Sequence, residues 1–112
     1  MIEGGGVMKN PEEEIFRIKE IVKAMMPGAS VFLFGSRARG DFDEKSDYDL
    51  LIVTENKVSI RKKIEISEML REEFSSYLIP TDIIIKSRKE VEYYKDKIGS
   101  VVREALKEGV AI

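Results

Sequence analysis

Three acidic residues stand at the start of two apolar segments. Asp47 and Asp49 lead into the run at 50–54, and Asp82 directly precedes the three isoleucines at 83–85. Side chains two positions apart on a strand point to the same face, so Asp47 and Asp49 are expected on one side of a sheet, about 7 Å apart. If the two segments are adjacent parallel strands, Asp82 emerges at the same end of that sheet. Carboxylate oxygens are the ligands that Mg²⁺ and Mn²⁺ prefer, so the three residues predict a divalent-cation site.

The same acids also have a plain structural interpretation. An isolated Asp-x-Asp pair is more often a turn or strand-edge feature at the surface, and Asp82 could be a solvated strand start after Pro80. An acid directly before three isoleucines, at the rim of the predicted core, is harder to explain in that way. Convergence of the three carboxylates is therefore the preferred interpretation.

A glycine and a serine, followed by two arginines, end another short apolar run at 30–34. Gly35 allows a ligand to approach the backbone closely, and exposed N–H groups with the Ser36 hydroxyl can bind phosphate oxygens. Arg37 and Arg39 can add charge-assisted hydrogen bonds. Taken alone, the segment is equally well interpreted as a polar loop whose arginines pair with the acids at 41, 43 and 44.

The hydrophobic pattern predicts the elements that position these residues. Short apolar runs predict strands at 30–34, 47–54 and 81–85, while helical spacing predicts helices from Pro11 to about 26, from Ser59 onward, and over 89–108 with a break at 99–100. A short connection favours antiparallel pairing of the first two strands, and a helical connection favours a parallel third. We expect an α/β (α+β) fold, a small mixed sheet with helices packed on it. The residues of the second helix predicted to face the core are Ile60, Ile64, Met69 or Leu70, and Phe74.

Composition limits the available chemistry. The 112 residues include neither Cys nor His, which excludes disulfides, thiolate or imidazole zinc sites and histidine proton transfer. Nineteen Lys and Arg residues against 21 Asp and Glu leave a net charge of −2, without the basic excess that duplex nucleic acid requires. No apolar run approaches the ~18 residues of a membrane span, so we expect a cytoplasmic protein. Residues 1–9, with three consecutive glycines, are expected to form a flexible head before one domain at 10–112.

These residues together carry a resemblance to a known family. Gly35-Ser36, ten intervening residues, Asp47-Tyr48-Asp49, and an acid heading a later strand resemble the active-site pattern of the DNA polymerase beta nucleotidyltransferase superfamily. The string Gly-Ser-Arg-Ala-Arg-Gly at 35–40 is most similar to its minimal nucleotidyltransferase (MNT) branch. The similarity extends from about Pro11 to the last residue of the chain.

The resemblance implies a palm-like core and transfer of a nucleoside monophosphate, expected to be AMP from ATP, to a hydroxyl with release of pyrophosphate. Two Mg²⁺ ions, or Mn²⁺, would be held by Asp47 and Asp49, and Asp82 would bind one of them and act as base. Gly35 and Ser36 would hold the β- and γ-phosphates. The predicted nucleotide-binding set is completed by two arginines, Arg37 and Arg39, for which triphosphate, acceptor and partner contacts all stay open.

Many MNT proteins resemble antitoxins that adenylylate a separate HEPN-domain RNase toxin on tyrosine. Larger relatives append a domain that grips the acceptor, and none is evident here, so the acceptor is expected on another protein. A HEPN-domain toxin is the leading hypothesis. The alternatives are a non-catalytic module that neutralises its partner by binding, and nucleotidyl transfer to a small molecule. Homo- and hetero-oligomeric assembly both stay open.

Overall fold

The computed structural model describes residues 10–112, so the predicted flexible head at 1–9 lies outside the described residues. In chain order the elements are α1 (Pro11–Met25), β1 (Ser30–Phe34), α2 (Ser36–Arg39), β2 (Tyr48–Thr54), α3 (Ile60–Ser76), β3 (Thr81–Ser87), α4 (Arg88–Tyr94), α5 (Val101–Glu108) and β4 (Val110–Ala111). The strands form one four-stranded sheet in the order β3-β2-β1-β4. The predicted α+β fold with a small mixed sheet is confirmed.

The pairing of the strands brings three strand ends to one edge of the sheet. β1 and β2 are antiparallel, with Phe34 opposite Asp49. β2 and β3 are parallel, with Asp49 opposite Asp82. The carboxyl end of β1 therefore meets the amino ends of β2 and β3, which is the arrangement that the lengths of the connections predict.

The two faces of the sheet carry two separate apolar clusters. The larger cluster packs α1 and α3 against one face, and its fully buried members include Ile18, Leu50, Ile52, Leu70 and Phe74. The smaller cluster packs α5 against the other face and contains Phe34, Leu51, Val53 and Ala105. Since side chains alternate along a strand, Asp49 lies on the α5 face, together with Leu51 and Val53.

The predicted inward face of α3 is right at one end and wrong at the other. Leu70 and Phe74 are completely buried, whereas Ile60 and Ile64 are 78% and 54% exposed. The contacting stripe runs through Ile66, four residues before Leu70. At about 100° per residue, Ile64 lies roughly 200° around the helix from Ile66 and so points to solvent. None of the helices in residues 10–112 is long and apolar enough to cross a membrane.

Two elements are absent from the sequence prediction. α2 is a single helical turn where a polar loop is expected, and it ends at Gly40 in the left-handed conformation with φ 92°. β4 is a two-residue strand that pairs with β1. The predicted break in the last helical segment is confirmed, because Ser100 caps α5 by accepting a hydrogen bond from the Arg103 N–H.

A capping box with an ion pair joins β3, α4 and α3. The Ser87 hydroxyl accepts from the Glu90 N–H, and the Glu90 carboxylate accepts from the Ser87 N–H at 2.8 Å. Lys63 Nζ, on α3, donates to both Glu90 oxygens at 2.9 and 3.0 Å. Desolvation alone would raise the pKa of Glu90, but the Ser87 N–H and the Lys63 ammonium outweigh it and lower the pKa from 4.5 to about 2.

Replacing Glu90 by Gln is expected to cost on the order of 2 kcal/mol of unfolding free energy at pH 7. Because the folded pKa is depressed, this contribution is fully present above about pH 4.5 and is lost as the pH falls toward 2. Urea unfolding of wild type and Glu90→Gln from pH 7 to pH 3 measures the difference. Glu92→Gln, on the exposed side of α4, is the control and should change little. A gap between wild type and Glu90→Gln that stays constant with pH would contradict the assignment.

Candidate active site

The backbone brings the three predicted carboxylates to one edge of the sheet. Asp49 is the second residue of β2 and is half-buried, while Asp82 is the second residue of β3 and is exposed. They are direct partners on adjacent strands, whose backbones lie roughly 4.8 Å apart. Asp47 immediately precedes β2 and is exposed. All three positions therefore border the same surface at the start of β2 and β3.

The charges at this edge act on one another. The pKa of Asp49 is raised above its ordinary value, chiefly by desolvation and then by the negative charges of Asp82 and Asp47. Arg39 acts in the opposite direction, and Glu108 adds a further negative charge. Because like charges disfavour ionisation of Asp49, a cation at this edge would be stabilised electrostatically.

The side chains of Asp47, Asp49 and Asp82 do not form a closed metal site. Within residues 10–112, no group of three or more His, Cys, Asp or Glu side chains has the arrangement that holds a metal ion. Two observations fit a hard divalent cation at this edge. The possible donors are all carboxylate oxygens. The negative charges of Asp82 and Asp47 also repel that of Asp49, and a cation would offset this repulsion. To share one ion, the three side chains would need to turn toward a common point.

Gly35 is held directly against Asp49. A Cβ built at Gly35 would lie 1.9 Å from Asp49 Oδ2 and 2.9 Å from its Cγ, so no side chain fits at position 35. The backbone there has φ 72° and ψ −158°, a region that is essentially restricted to glycine. The predicted phosphate-binding turn and the predicted carboxylate site are therefore in contact, with Ser36, half-buried, beginning α2 beside them.

The two predicted arginines have different environments. Arg37 is only 8% exposed, and its Nε and Nη2 donate to the Ser46 carbonyl at 3.2 and 3.1 Å. Its guanidinium lies over the rings of Tyr48 and Phe42, at 4.3 and 4.4 Å from the centroids. Arg37 thus holds the loop that leads into the site. Arg39 is exposed beside the site.

Arg39 joins this edge to the end of α5. Its Nε donates to Asp41 Oδ2 at 3.3 Å, and its Nη1 donates to both oxygens of Glu108 at 3.2 and 3.3 Å. The Gly35 N–H also donates to Glu108 Oε1, at 3.1 Å. Sequence reasoning misses Glu108, because 73 residues separate it from Gly35 and no local pattern links them.

Tyr48 is a second residue that sequence reasoning misses. It lies between the two aspartates but points to the opposite face, where it is completely buried. Its hydroxyl donates to Glu14 Oε1 on α1 at 2.8 Å. Desolvation and then the hydrogen bond to Glu14 raise the pKa of Tyr48, so the hydroxyl keeps its proton. The alternation in Asp-Tyr-Asp is the available signal, since period-two spacing puts Tyr48 on the core side of β2.

Comparison with known proteins identifies the family. The model of the family described as "Nucleotidyltransferase domain" matches residues 15–112, which is nearly all of the described chain. The chain belongs to the nucleotidyltransferase family. This nucleotidyltransferase is also 35% identical, over 82 residues, to the "Putative protein adenylyltransferase MJ0141" of Methanocaldococcus jannaschii. The matched stretch covers 73% of this chain and 76% of that relative.

Solved structures share the fold of this nucleotidyltransferase. A structure described as a "putative minimal nucleotidyltransferase" has a TM-score of 0.62 at 19% identity, covering 95% of this chain and 99% of that one. The complex described as tri-AMPylated Shewanella oneidensis HEPN toxin with MNT antitoxin contains a similar chain. That chain has a TM-score of 0.57 at 13% identity, with 91% of this chain and 71% of that one covered. At these identities the likeness establishes the fold alone.

Proposed function

We propose that this nucleotidyltransferase transfers AMP from ATP to a hydroxyl group of a partner protein, with a HEPN-domain toxin as the acceptor. The observation that carries the proposal is the contact between Gly35 and Asp49, beside the strand partner Asp82. This contact joins a backbone able to receive phosphate to a cluster of carboxylates able to receive cations. Both features are required for transfer of a nucleotidyl group.

In the proposed reaction, the acceptor oxygen forms a bond to the α-phosphorus of ATP as the bond to the β-phosphate oxygen breaks, releasing pyrophosphate. Asp82 takes the proton of the attacking hydroxyl. Gly35 and Ser36 hold the β- and γ-phosphates through their N–H and hydroxyl groups. Asp47, Asp49 and Asp82 would hold two Mg²⁺ ions, which neutralise the charge that develops on the attacking and leaving oxygens.

The two arginines have separate parts in this proposal. Arg39 is exposed at the edge where Gly35 and Asp49 meet, and it contributes its charge to the triphosphate. Arg37 is buried, with its guanidinium over the rings of Phe42 and Tyr48, and it positions the loop before Asp47. Burial of Arg37, which is only 8% exposed, supports a positioning part for it over direct contact with phosphate.

The choice of acceptor is supported by what the similar proteins are called. The relative from Methanocaldococcus jannaschii is described as a "Putative protein adenylyltransferase", and the similar solved complex contains an AMPylated HEPN toxin with an MNT antitoxin. This chain also has a sheet edge at which the carboxylates Asp47 and Asp82 are exposed. An acceptor tyrosine on another protein could reach such an edge.

We expect magnesium-dependent labelling of a HEPN-domain partner when the protein is incubated with that partner and ATP labelled at the α-phosphate. EDTA should abolish the labelling. Without divalent cations, the negative carboxylates would repel the negatively charged triphosphate. ATP labelled at the γ-phosphate is the control and should leave the partner unlabelled, which separates adenylylation from phosphorylation. Failure of α-label transfer to an authentic partner encoded beside this protein would contradict the proposed function.

A further inference from the structure

A carboxylate of the protein itself occupies the donors that the proposed function assigns to phosphate. Glu108 Oε1 accepts from the Gly35 N–H at 3.1 Å, and Arg39 Nη1 donates to both carboxylate oxygens at 3.2 and 3.3 Å. The Glu108 side chain is 26% exposed and that of Arg39 is 47% exposed, so the bond to Gly35 is partly buried while the ion pair with Arg39 is open to solvent. Backbone N–H groups and guanidinium groups bind carboxylate and phosphate by the same charge-assisted hydrogen bonds.

The main chain around Glu108 is fixed beside this anion site. A Cβ at Gly109 would lie 2.1 Å from the Ala105 carbonyl oxygen and 3.1 Å from that of Leu33, so the chain passes tightly between α5 and β1. Directly afterwards Val110 pairs with Leu33 in the sheet. The end of α5 is therefore anchored, and removal of the carboxylate from the site requires only rotation of the Glu108 side chain.

We propose that Glu108 competes with a phosphate group of the nucleotide for the Gly35 N–H and Arg39, and thereby sets the affinity for nucleotide. This inference rests on the proposed function. One N–H cannot donate fully to two anions, so phosphate binding at these donors displaces the carboxylate. Displacement has a second effect, since Glu108 also contributes negative charge close to Asp49. Rotation of Glu108 away from the site removes that repulsion toward the bound triphosphate.

The test is calorimetric titration of wild type, Glu108→Gln and Glu108→Ala with ATP in the presence of Mg²⁺, and separately with inorganic tripolyphosphate. We expect the affinity for both probes to increase in the order wild type, Gln, Ala, by about five- to tenfold in the Ala variant. Adenosine, which has no phosphate, should bind all three proteins equally. Glu104→Gln on the same helix is the matched control and should behave as wild type.

Replacement of Arg39 by Ala provides a second measurement. It removes the guanidinium that both anions use, so the gain from Glu108→Ala should be smaller in the Arg39→Ala background than in wild type. Thermal unfolding of every variant verifies that the proteins titrated are folded, and the Gln variant preserves the volume of the side chain if Ala does not fold.

The possible outcomes separate this inference from the proposed function. If wild type binds ATP and the Glu108 variants bind it equally, competition is overturned; if they bind it more weakly, competition is overturned and Glu108 instead positions Arg39 for the nucleotide. If neither wild type nor any folded variant binds ATP or tripolyphosphate, both the inference and the proposed function are overturned. Tighter binding of tripolyphosphate with unchanged adenosine binding supports competition at the phosphate donors.

Discussion

Simultaneous replacement of Asp47 and Asp49 by Asn is expected to reduce AMP transfer by about three orders of magnitude or more, because cation-mediated charge stabilisation is worth several kcal/mol. Asn keeps the size of each side chain but removes both negative charges from the edge of β2. Transfer from α-labelled ATP at saturating Mg²⁺ measures the effect. Glu44→Gln, an exposed acid in the preceding loop, is the matched control and should retain wild-type transfer.

The same variant separates catalysis from neutralisation by binding alone. Under the proposed function it loses transfer, whereas a non-catalytic module would still neutralise its partner in full. Loss of folding does not explain the expected result, since the raised pKa of Asp49 means that its ionised form destabilises the folded state at pH 7. The unfolding temperature of the double variant should equal or exceed that of wild type. Undiminished transfer with both aspartates replaced would contradict the assigned site.

Gly35→Ala is expected to lower transfer by at least about 100-fold and the unfolding free energy by roughly 2–4 kcal/mol, through overlap and backbone strain together. The added Cβ would overlap Asp49 Oδ2, so the carboxylate must leave its place. Backbone strain adds to this, because φ 72° with ψ −158° is disfavoured for alanine. Urea unfolding and the α-label assay measure the two effects.

Gly40→Ala is the matched control for Gly35→Ala. Gly40 also has a positive φ, 92°, but a Cβ there would meet no atom within 4 Å. The Gly40→Ala variant is expected to lose about 1 kcal/mol of unfolding free energy from backbone strain and to keep its transfer activity. Equal activities of Gly35→Ala and Gly40→Ala would contradict the view that the space beside Asp49 is what requires glycine.

The sheet and the placement of the carboxylates are predictable from local patterns. Strand lengths and connection lengths suffice to set β1 antiparallel to β2 and β2 parallel to β3. Given that pairing, Asp49 and Asp82 must lie on neighbouring strands at one edge. The metal-binding and catalytic roles of these residues remain predictions, since strand pairing places the carboxylates at one edge without bringing three side chains of residues 10–112 into a metal-holding group.

The difference in burial between Arg37 and Arg39 could not be predicted, because it depends on the helical turn α2, which the sequence pattern does not predict. Two residues apart in a loop, Arg37 and Arg39 look equivalent; on a helix they point roughly 200° apart, so one is buried and the other exposed. Glu108 is missed for a different reason. The contact that brings it to Gly35 depends on how α5 packs on the completed sheet, which no local pattern in the sequence specifies.

Tyr48 has a consequence for the accuracy of the site. A slip of β2 by a single residue against its neighbours would turn both aspartates into the apolar interior and expel the tyrosine into solvent. The bond from the buried phenol to Glu14, on a helix distant in sequence, penalises every such misaligned pairing. Tyr48 thus favours the one register of β2 in which Asp47 and Asp49 lie at the edge of the sheet.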